Sequence, residues 1–258
     1  MSNSLAIHIS GLSHAFDERA VVDNINLDVA PGEFVSIVGP SGGGKTTVLK
    51  VLAGLLAPDE GTAEVDGVST IDTFGLVAYM PQRDQLLPWR RALENAILGA
   101  QIRGRNRAES RVEAQALFAR FGLEGHERSW PAQLSGGMRQ RLALLRTFLS
   151  GFDTLLLDEP FSALDALTRR SMHTWLQDVW LADQRTVLMV THDVEEALLL
   201  SDRVVVLSPR PAKISAIVKS PFDRPRSNDV VSAQEFVNAK AQVLAALDDQ
   251  RSVNSQTN

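Results

Sequence analysis

The sequence predicts an α/β protein with a mainly parallel sheet, an antiparallel β part ahead of it and a helical lobe inserted between its strands. Three observations predict this. Apolar runs of strand length alternate with stretches of helical spacing. A glycine-rich stretch, residues 39–44, separates one such run from one such helix. A long segment, about 88–150, carries helical rather than strand patterning.

In order along the chain, β-formers alternate at Leu5, Ile7 and Ile9, and again at Ile25, Leu27 and Val29. Pro31-Gly32 reads as a turn. Residues 34–38 suit a buried strand, and 45–56 a helix with Val48, Leu52 and Leu55 on one face. Pro58, Gly61 and Gly67 punctuate short strands around 63–65, and 77–80 is a further strand. Within the lobe, 111–121 carries Val112, Leu117, Phe118 and Phe121 at helical spacing, and 137–149 carries Leu142, Leu145, Phe148 and Leu149. Strand character returns at 154–157, 186–190 and 203–207, with a helix about 167–180 between the first two. Residues 234–247 fit an amphipathic helix, and polar 252–258 reads as disordered. The division expected is a domain over 1–220, with the lobe inserted, and a C-terminal extension over 221–258.

Composition narrows the function classes. The chain's 258 residues suit one large α/β domain, and its hydrophobic fraction of 44% is ordinary for a globular protein. The longest apolar runs, such as 155–157 and 197–200, fall far short of the roughly 20 residues a membrane span needs. No basic start followed by a long apolar core marks a signal peptide, so the expectation is a chain that stays in the cytoplasm. The absence of cysteine excludes disulfides and thiolate metal sites. The formal net charge of −5 runs against nucleic acid as a partner.

Gly39-Pro40-Ser41-Gly42-Gly43-Gly44-Lys45-Thr46 matches G-x-x-x-x-G-K-[ST] at every fixed position, between a strand and a helix as that motif requires. The glycines let backbone N–H groups wrap phosphate, and the helix presents its positive end to the same anion. Lys45 would hold the β- and γ-phosphates of a nucleotide, the Thr46 hydroxyl would ligate Mg²⁺, and Thr47 completes the cradle. The apolar strand 155–157 ends in Asp158-Glu159, and the turn into Pro160 can aim both acids at one site. Asp158 would hold Mg²⁺, directly or through water, while Glu159 orients or deprotonates the attacking water.

Leu134-Ser135-Gly136-Gly137-Met138 follows the helical lobe and opens a helix. Together with the two motifs above, it resembles the signature of ABC ATPases over roughly residues 5–215. The resemblance implies a P-loop NTPase fold of the ABC ATPase type, ATP hydrolysis, and a head-to-tail dimer with a second ATPase subunit. In that dimer Ser135, Gly136 and Gly137 contact the ATP held by the opposite subunit. It further implies that Gln82 senses Mg²⁺ and the attacking water. His192, in Thr191-His192-Asp193, resembles the switch histidine at the γ-phosphate, and Ser162-Ala163-Leu164-Asp165 the loop joining the two sites. Phe16, 29 positions before Lys45, stands where the family keeps an aromatic to stack on adenine. Met138 stands where the family commonly has glutamine, and has no catalytic role in this reading. His8, His14, His126 and His173 read as structural or solvated, and Arg139 and Arg141 as helix-face residues.

Gln85-Leu86-Leu87-Pro88-Trp89-Arg90, the run Leu-Ser-Gly-Gly-Met-Arg-Gln-Arg at 134–141 and Leu-Ser-Pro-Arg-Pro at 207–211 are similar to importer ATPases for nitrate, aliphatic sulfonates and taurine. That branch implies a transmembrane permease subunit, an extracytoplasmic solute-binding protein and a peripheral position at the cytoplasmic face of the inner membrane. Similar ATPases serve thiamine-precursor pyrimidine and riboflavin uptake. Leu87, Pro88 and Trp89 are candidates for the surface that meets the permease, with a Trp89 folded into the lobe core as the competing reading. Other readings are an exporter-type or lipoprotein-release ATPase, a soluble repair or translation ATPase, and a non-hydrolysing nucleotide sensor. A single set of motifs without a heptad run disfavours the soluble ATPases, and intact Lys45, Asp158, Glu159 and His192 the sensor.

Overall fold

The computed structural model describes residues 5–254. Strands β1 (Ile7–Phe16), β2 (Arg19–Val29), β4 (Glu60–Val65) and β5 (Val68–Ser69) form an antiparallel sheet in the order β2-β1-β4-β5. Their alternation of apolar and polar residues leaves one face to bury, and Ile7, Ile9, Leu12, Ile25 and Leu27 fill it.

The second sheet runs β10-β9-β3-β8-β7-β6. It comprises β3 (Phe34–Val38), β6 (Ala78–Met80), β7 (Thr154–Asp158), β8 (Thr186–Val190), β9 (Arg203–Leu207) and β10 (Ile214–Lys219). All neighbours are parallel except β10, which closes the edge antiparallel to β9. Every residue of β3, β7 and β8 is buried, which is why these segments read as continuous apolar runs. Alternate residues serve two different cores. Phe34, Leu155, Leu157, Val187 and Met189 face the helical lobe and α6 (Ala166–Asp183). Val35, Ile37, Leu156, Leu188 and Val190 face α1 (Lys45–Leu52) and the antiparallel sheet.

The helical lobe lies between β6 and β7 in the chain: α2 (Ala92–Ala96), α3 (Leu98–Ile102), α4 (Arg107–Phe118) and α5 (Gly136–Leu149). α1 and α4 differ from their expected bounds for local reasons. The first ends at Leu52 rather than 56, because Gly54 takes φ +71° and the Leu55 amide bonds back to Lys50 O. The fourth starts at Arg107 rather than 111, because Asn106 caps the amides of Ala108 and Glu109 at 2.8 and 3.2 Å.

Beyond β9, α7 (Val194–Leu200, which precedes it in sequence) and α8 (Gln234–Asn254) share a third core. Phe236, Ala239 and Val243 of α8 are buried against Val194, Ala197, Val204 and Val206. The Arg226 side chain is enclosed, donating to the carbonyls of Leu198, Leu199, Ser201 and Phe222. Residues 222–247 therefore pack onto the parallel sheet's edge. α8 runs on to Asn254, past the expected 247, since no Gly or Pro interrupts it. The disorder expected over 252–258 gives way to helix through Asn254, and 255–258 lie outside the described residues.

Candidate functional site

The site lies at the carboxyl ends of β3, β7 and β8, where an open parallel sheet presents its loops. Ser41, Gly42, Gly43, Gly44, Lys45, Thr46 and Thr47, together with Gln82, Glu159 and Arg210, line a cavity of about 210 Å³. Gly44, at φ +81°, is the N-cap of α1. A Cβ there would lie 2.6 Å from Val22 Cγ1, so the antiparallel sheet packs against the loop too closely for any other residue. Gly39 and Pro40 turn their carbonyls inward, and both accept from Lys45 Nζ at 2.8 Å. Burial lowers the Lys45 pKa, and the charges of Glu159 and Asp158 oppose that.

Asp158, the last residue of β7, is 1% exposed. It accepts from Thr46 Oγ1 at 2.9 Å and, more distantly, from Tyr79 OH at 3.4 Å. Burial raises its carboxyl pKa, opposed by the Thr46 hydrogen bond. Burial also raises the Tyr79 phenol, with Asp158 adding to the effect. A threonine hydroxyl and a carboxylate in contact are the hard oxygen donors that Mg²⁺ takes.

Glu159 leaves the strand with φ +50°, a left-handed conformation that a glutamate rarely adopts. That turn redirects its side chain. Glu159 Oε2 accepts from Gln82 Nε2 at 3.2 Å and lies 3.4 Å from His192 Nδ1. A carboxylate, an amide and an imidazole thus converge beside the glycine-rich loop. Such a set can orient a water for attack on a bound phosphoryl group and take up its proton.

Of the expected residues, Ser41–Thr47, Gln82 and Glu159 meet in one cavity; Asp158 joins through Thr46, and His192 through Glu159. Ser135, Gly136, Gly137 and Phe16 do not line it. Ser135 caps α5, accepting from the Met138 amide at 3.2 Å. A Cβ on Gly137 would stand 3.4 Å from Leu164 and 3.5 Å from Ala163 O, so the helix start abuts the 162–165 loop. Phe16 is half-exposed at the end of β1, edge-on to His14.

Sequence reasoning missed two features. Arg139 is no plain helix-face residue: its Nε donates to Asp84 Oδ2 at 2.9 Å. Arg146, two turns on, donates to the carbonyls of Gln85 and Asp84 at 2.9 and 2.7 Å. Together they pin the loop after Gln82 to α5. Their spacing of seven places both on one helix face, but only the fold shows what that face meets. The second is Arg210, which reaches the phosphate loop from the β9–β10 turn.

Trp89 is 69% exposed, which excludes its burial in the lobe core. It borders a cavity with Arg90, Arg91 and Trp130, where the Arg91 guanidinium stacks on the Trp130 ring. A separate apolar groove of about 370 Å³, lined by Leu55, Val77, Tyr79, Leu98, Ile102 and Phe152, lies where the helical lobe meets β6. His173 is held by Glu196 at 2.9 Å in the interior.

The ABC transporter family model matches residues 22–162. The chain is 45% identical over 225 residues to the aliphatic sulfonates import ATP-binding protein SsuB 1 of Rhodococcus jostii, covering 87% of each chain. It is 43% identical over 215 residues to the formylaminopyrimidine import ATP-binding protein ThiZ of Halalkalibacterium halodurans, covering 83% of this chain and 84% of that one. Its fold is similar, with a TM-score of 0.76 at 29% identity, to the dimeric post-hydrolysis state of the ATP-binding cassette MJ0796 bound to ADP and Pi. That match covers 84% of this chain and all of the other.

Proposed function

Because the chain belongs to the ABC transporter family and is an ATP-hydrolysing subunit of its importer type, we propose that it powers uptake of a small solute, a sulfonate, taurine or nitrate, through a separate membrane permease. The observation that carries the catalytic reading is the convergence of Glu159, Gln82 and His192 on the Ser41–Thr47 cradle. The sulfonate reading rests on the relatives' specificity, with a thiamine-precursor pyrimidine as the second reading.

In this reading Lys45 and the loop amides hold the nucleotide's phosphates, exchanging the carbonyls of Gly39 and Pro40 for phosphate oxygens. Glu159 takes the proton of the attacking water, Gln82 orients that water, and His192 reaches the γ-phosphate from the same side. Thr46 and Asp158, with the Gln82 amide oxygen nearby, would hold Mg²⁺, which neutralises charge on the phosphates when bound. Phe16 offers an exposed ring face to adenine. Ser135, Gly136 and Gly137 serve the nucleotide of a second copy, which fits their place outside this chain's own cavity.

Among the described residues no helix is long and apolar enough to cross a membrane. In this reading the permease is a separate chain. It docks on Trp89 and the apolar groove beside α3, on the cytoplasmic face of the membrane. Arg139 and Arg146 tie Asp84 and Gln85, in the loop that follows Gln82, to α5, giving motion at the γ-phosphate a route toward the permease surface. A solute-binding protein outside the membrane supplies specificity. Within the chain, 1–220 forms the ATPase domain and 221–258 an extension to it.

The test is solute uptake by cells lacking this chain, with labelled sulfonate, taurine, nitrate and pyrimidine precursor. Loss of uptake of one of these solutes, rescued by the wild-type chain and not by Lys45→Ala, is expected. Unchanged uptake of all four would refute import of these solutes.

A further inference from the structure

The turn between β9 and β10 is built around the phosphate loop. A Cβ on Gly39 would lie 3.0 Å from Leu207 O, and one on Gly43 3.5 Å from Ser208 O. Arg210 Nε donates to Gly42 O, and its Nη2 lies 3.6 Å from where a Gly42 Cβ would stand. Leu207, Ser208 and Arg210 therefore meet three successive parts of the loop. The turn is itself braced: the Ala212 amide donates to Val21 O at 2.9 Å, and its carbonyl accepts from the Asp23 amide at 3.0 Å. The Ser208 hydroxyl closes the turn by accepting from the Lys213 amide at 3.0 Å.

This frame delivers a guanidinium to the cavity wall. The neighbouring cation, Lys213, pairs with Asp23 at 2.8 Å; no ion pair involving Arg210 occurs among the described residues. One bond, through Nε, holds the group to the loop, and its terminal N–H donors remain for another acceptor. Two carboxylates, Asp158 and Glu159, flank the cradle, and among the described lining residues Lys45 is the one cationic side chain besides Arg210. A polyphosphate ligand needs more positive charge than one lysine supplies.

We propose that Arg210 is a nucleotide-binding residue, anchored on Gly42 O through Nε and donating from its Nη atoms to a phosphate oxygen of the bound nucleotide. The inference rests on the reading of this cavity as the ATP site. The competing role is a strut that only shapes the loop.

The experiment is ATP binding by the full-length chain, titrated at several salt concentrations, for wild type, Arg210→Gln, Arg210→Lys and Lys45→Ala. A lost charge-assisted contact should weaken ATP in Arg210→Gln by roughly tenfold and flatten the salt dependence, with Arg210→Lys intermediate. Wild-type affinity in Arg210→Gln would overturn the proposal. So would weakened affinity with the wild-type salt dependence, the outcome a strut produces. Lys45→Ala separates the two levels: wild-type ATP affinity in that variant would refute the cavity as the ATP site, whatever Arg210→Gln shows.

Discussion

The left-handed backbone at Glu159 makes a quantitative prediction through two substitutions that both remove the carboxylate. Glu159 sits at φ +50° and is held there from both sides. Its amide donates to Val190 O at 2.9 Å; its carbonyl accepts from the Ser162 amide at 3.3 Å, Ser162 Oγ at 3.0 Å and Gln140 Nε2 at 3.3 Å. With the backbone so fixed, the conformation costs a residue with a Cβ about 1–2 kcal/mol, which glycine escapes. Glycine loses more chain entropy on folding, which offsets about 0.5–1 kcal/mol. Glu159→Gly should therefore be more stable than Glu159→Ala by up to about 1.5 kcal/mol, or roughly 3–6 °C in melting temperature for a chain of this size. Elsewhere in a chain alanine is ordinarily the more stable of the two. Calorimetry of the two purified variants reads the difference, and neither should turn over ATP. If Glu159→Ala melts at or above Glu159→Gly, the strain argument is wrong; if either hydrolyses ATP, Glu159 is not the group that activates water.

Glu159→Gln should keep ATP bound, stop turnover and give an ATP-stabilised dimer on size-exclusion chromatography; a variant that elutes unchanged with ATP would count against the paired arrangement. Trp89→Ala should weaken co-purification with the permease while costing the isolated chain less than about 2 kcal/mol, since most of the ring is already in solvent. Trp175→Ala, which truncates a buried ring packed on Phe121 and Phe148, should cost about 3–5 kcal/mol; equal melting of the two variants would contradict the difference in burial. Asp158→Asn should raise the melting temperature of the isolated chain near pH 8 by a few degrees, on the order of 1 kcal/mol. Burial raises the Asp158 pKa in the folded state, so the cost of its charge is absent at low pH and grows as pH rises through the folded pKa. The gain should thus shrink toward pH 4, and a gain independent of pH would show another origin.

How much of this was readable in the sequence followed from how local each feature is. The glycine-rich loop is one contiguous segment whose motif lies wholly in its own residues, so 39–47 were legible as a candidate phosphate site. β3, β7 and β8 were legible because burial on both faces leaves a continuous apolar run. The ends of α1 and α4 were misplaced because Gly54 and Asn106 act as a stop and a cap, signals that compete with apolar periodicity. The side chains that join elements were illegible. Arg139 and Arg146 matter for the carbonyls and carboxylate of a loop some 55–62 residues away, and Arg210 for a glycine 168 residues away. Pro209-Arg210-Pro211 was visible as a resemblance to importers, but its contact with Gly42 exists only once β9 lies beside β3. Trp89 could be read either way until its exposure decided between core and surface.

The central claim is that this cavity hydrolyses ATP, and phosphate release from ATP by the purified full-length chain tests it most directly, with Lys45→Ala prepared and measured alongside. The account predicts steady release by the wild-type chain and release at background by Lys45→Ala, with both proteins folded by thermal melting. Equal release by the two would contradict it, because a phosphate cradle that works without Lys45 is not the one described by residues 39–47.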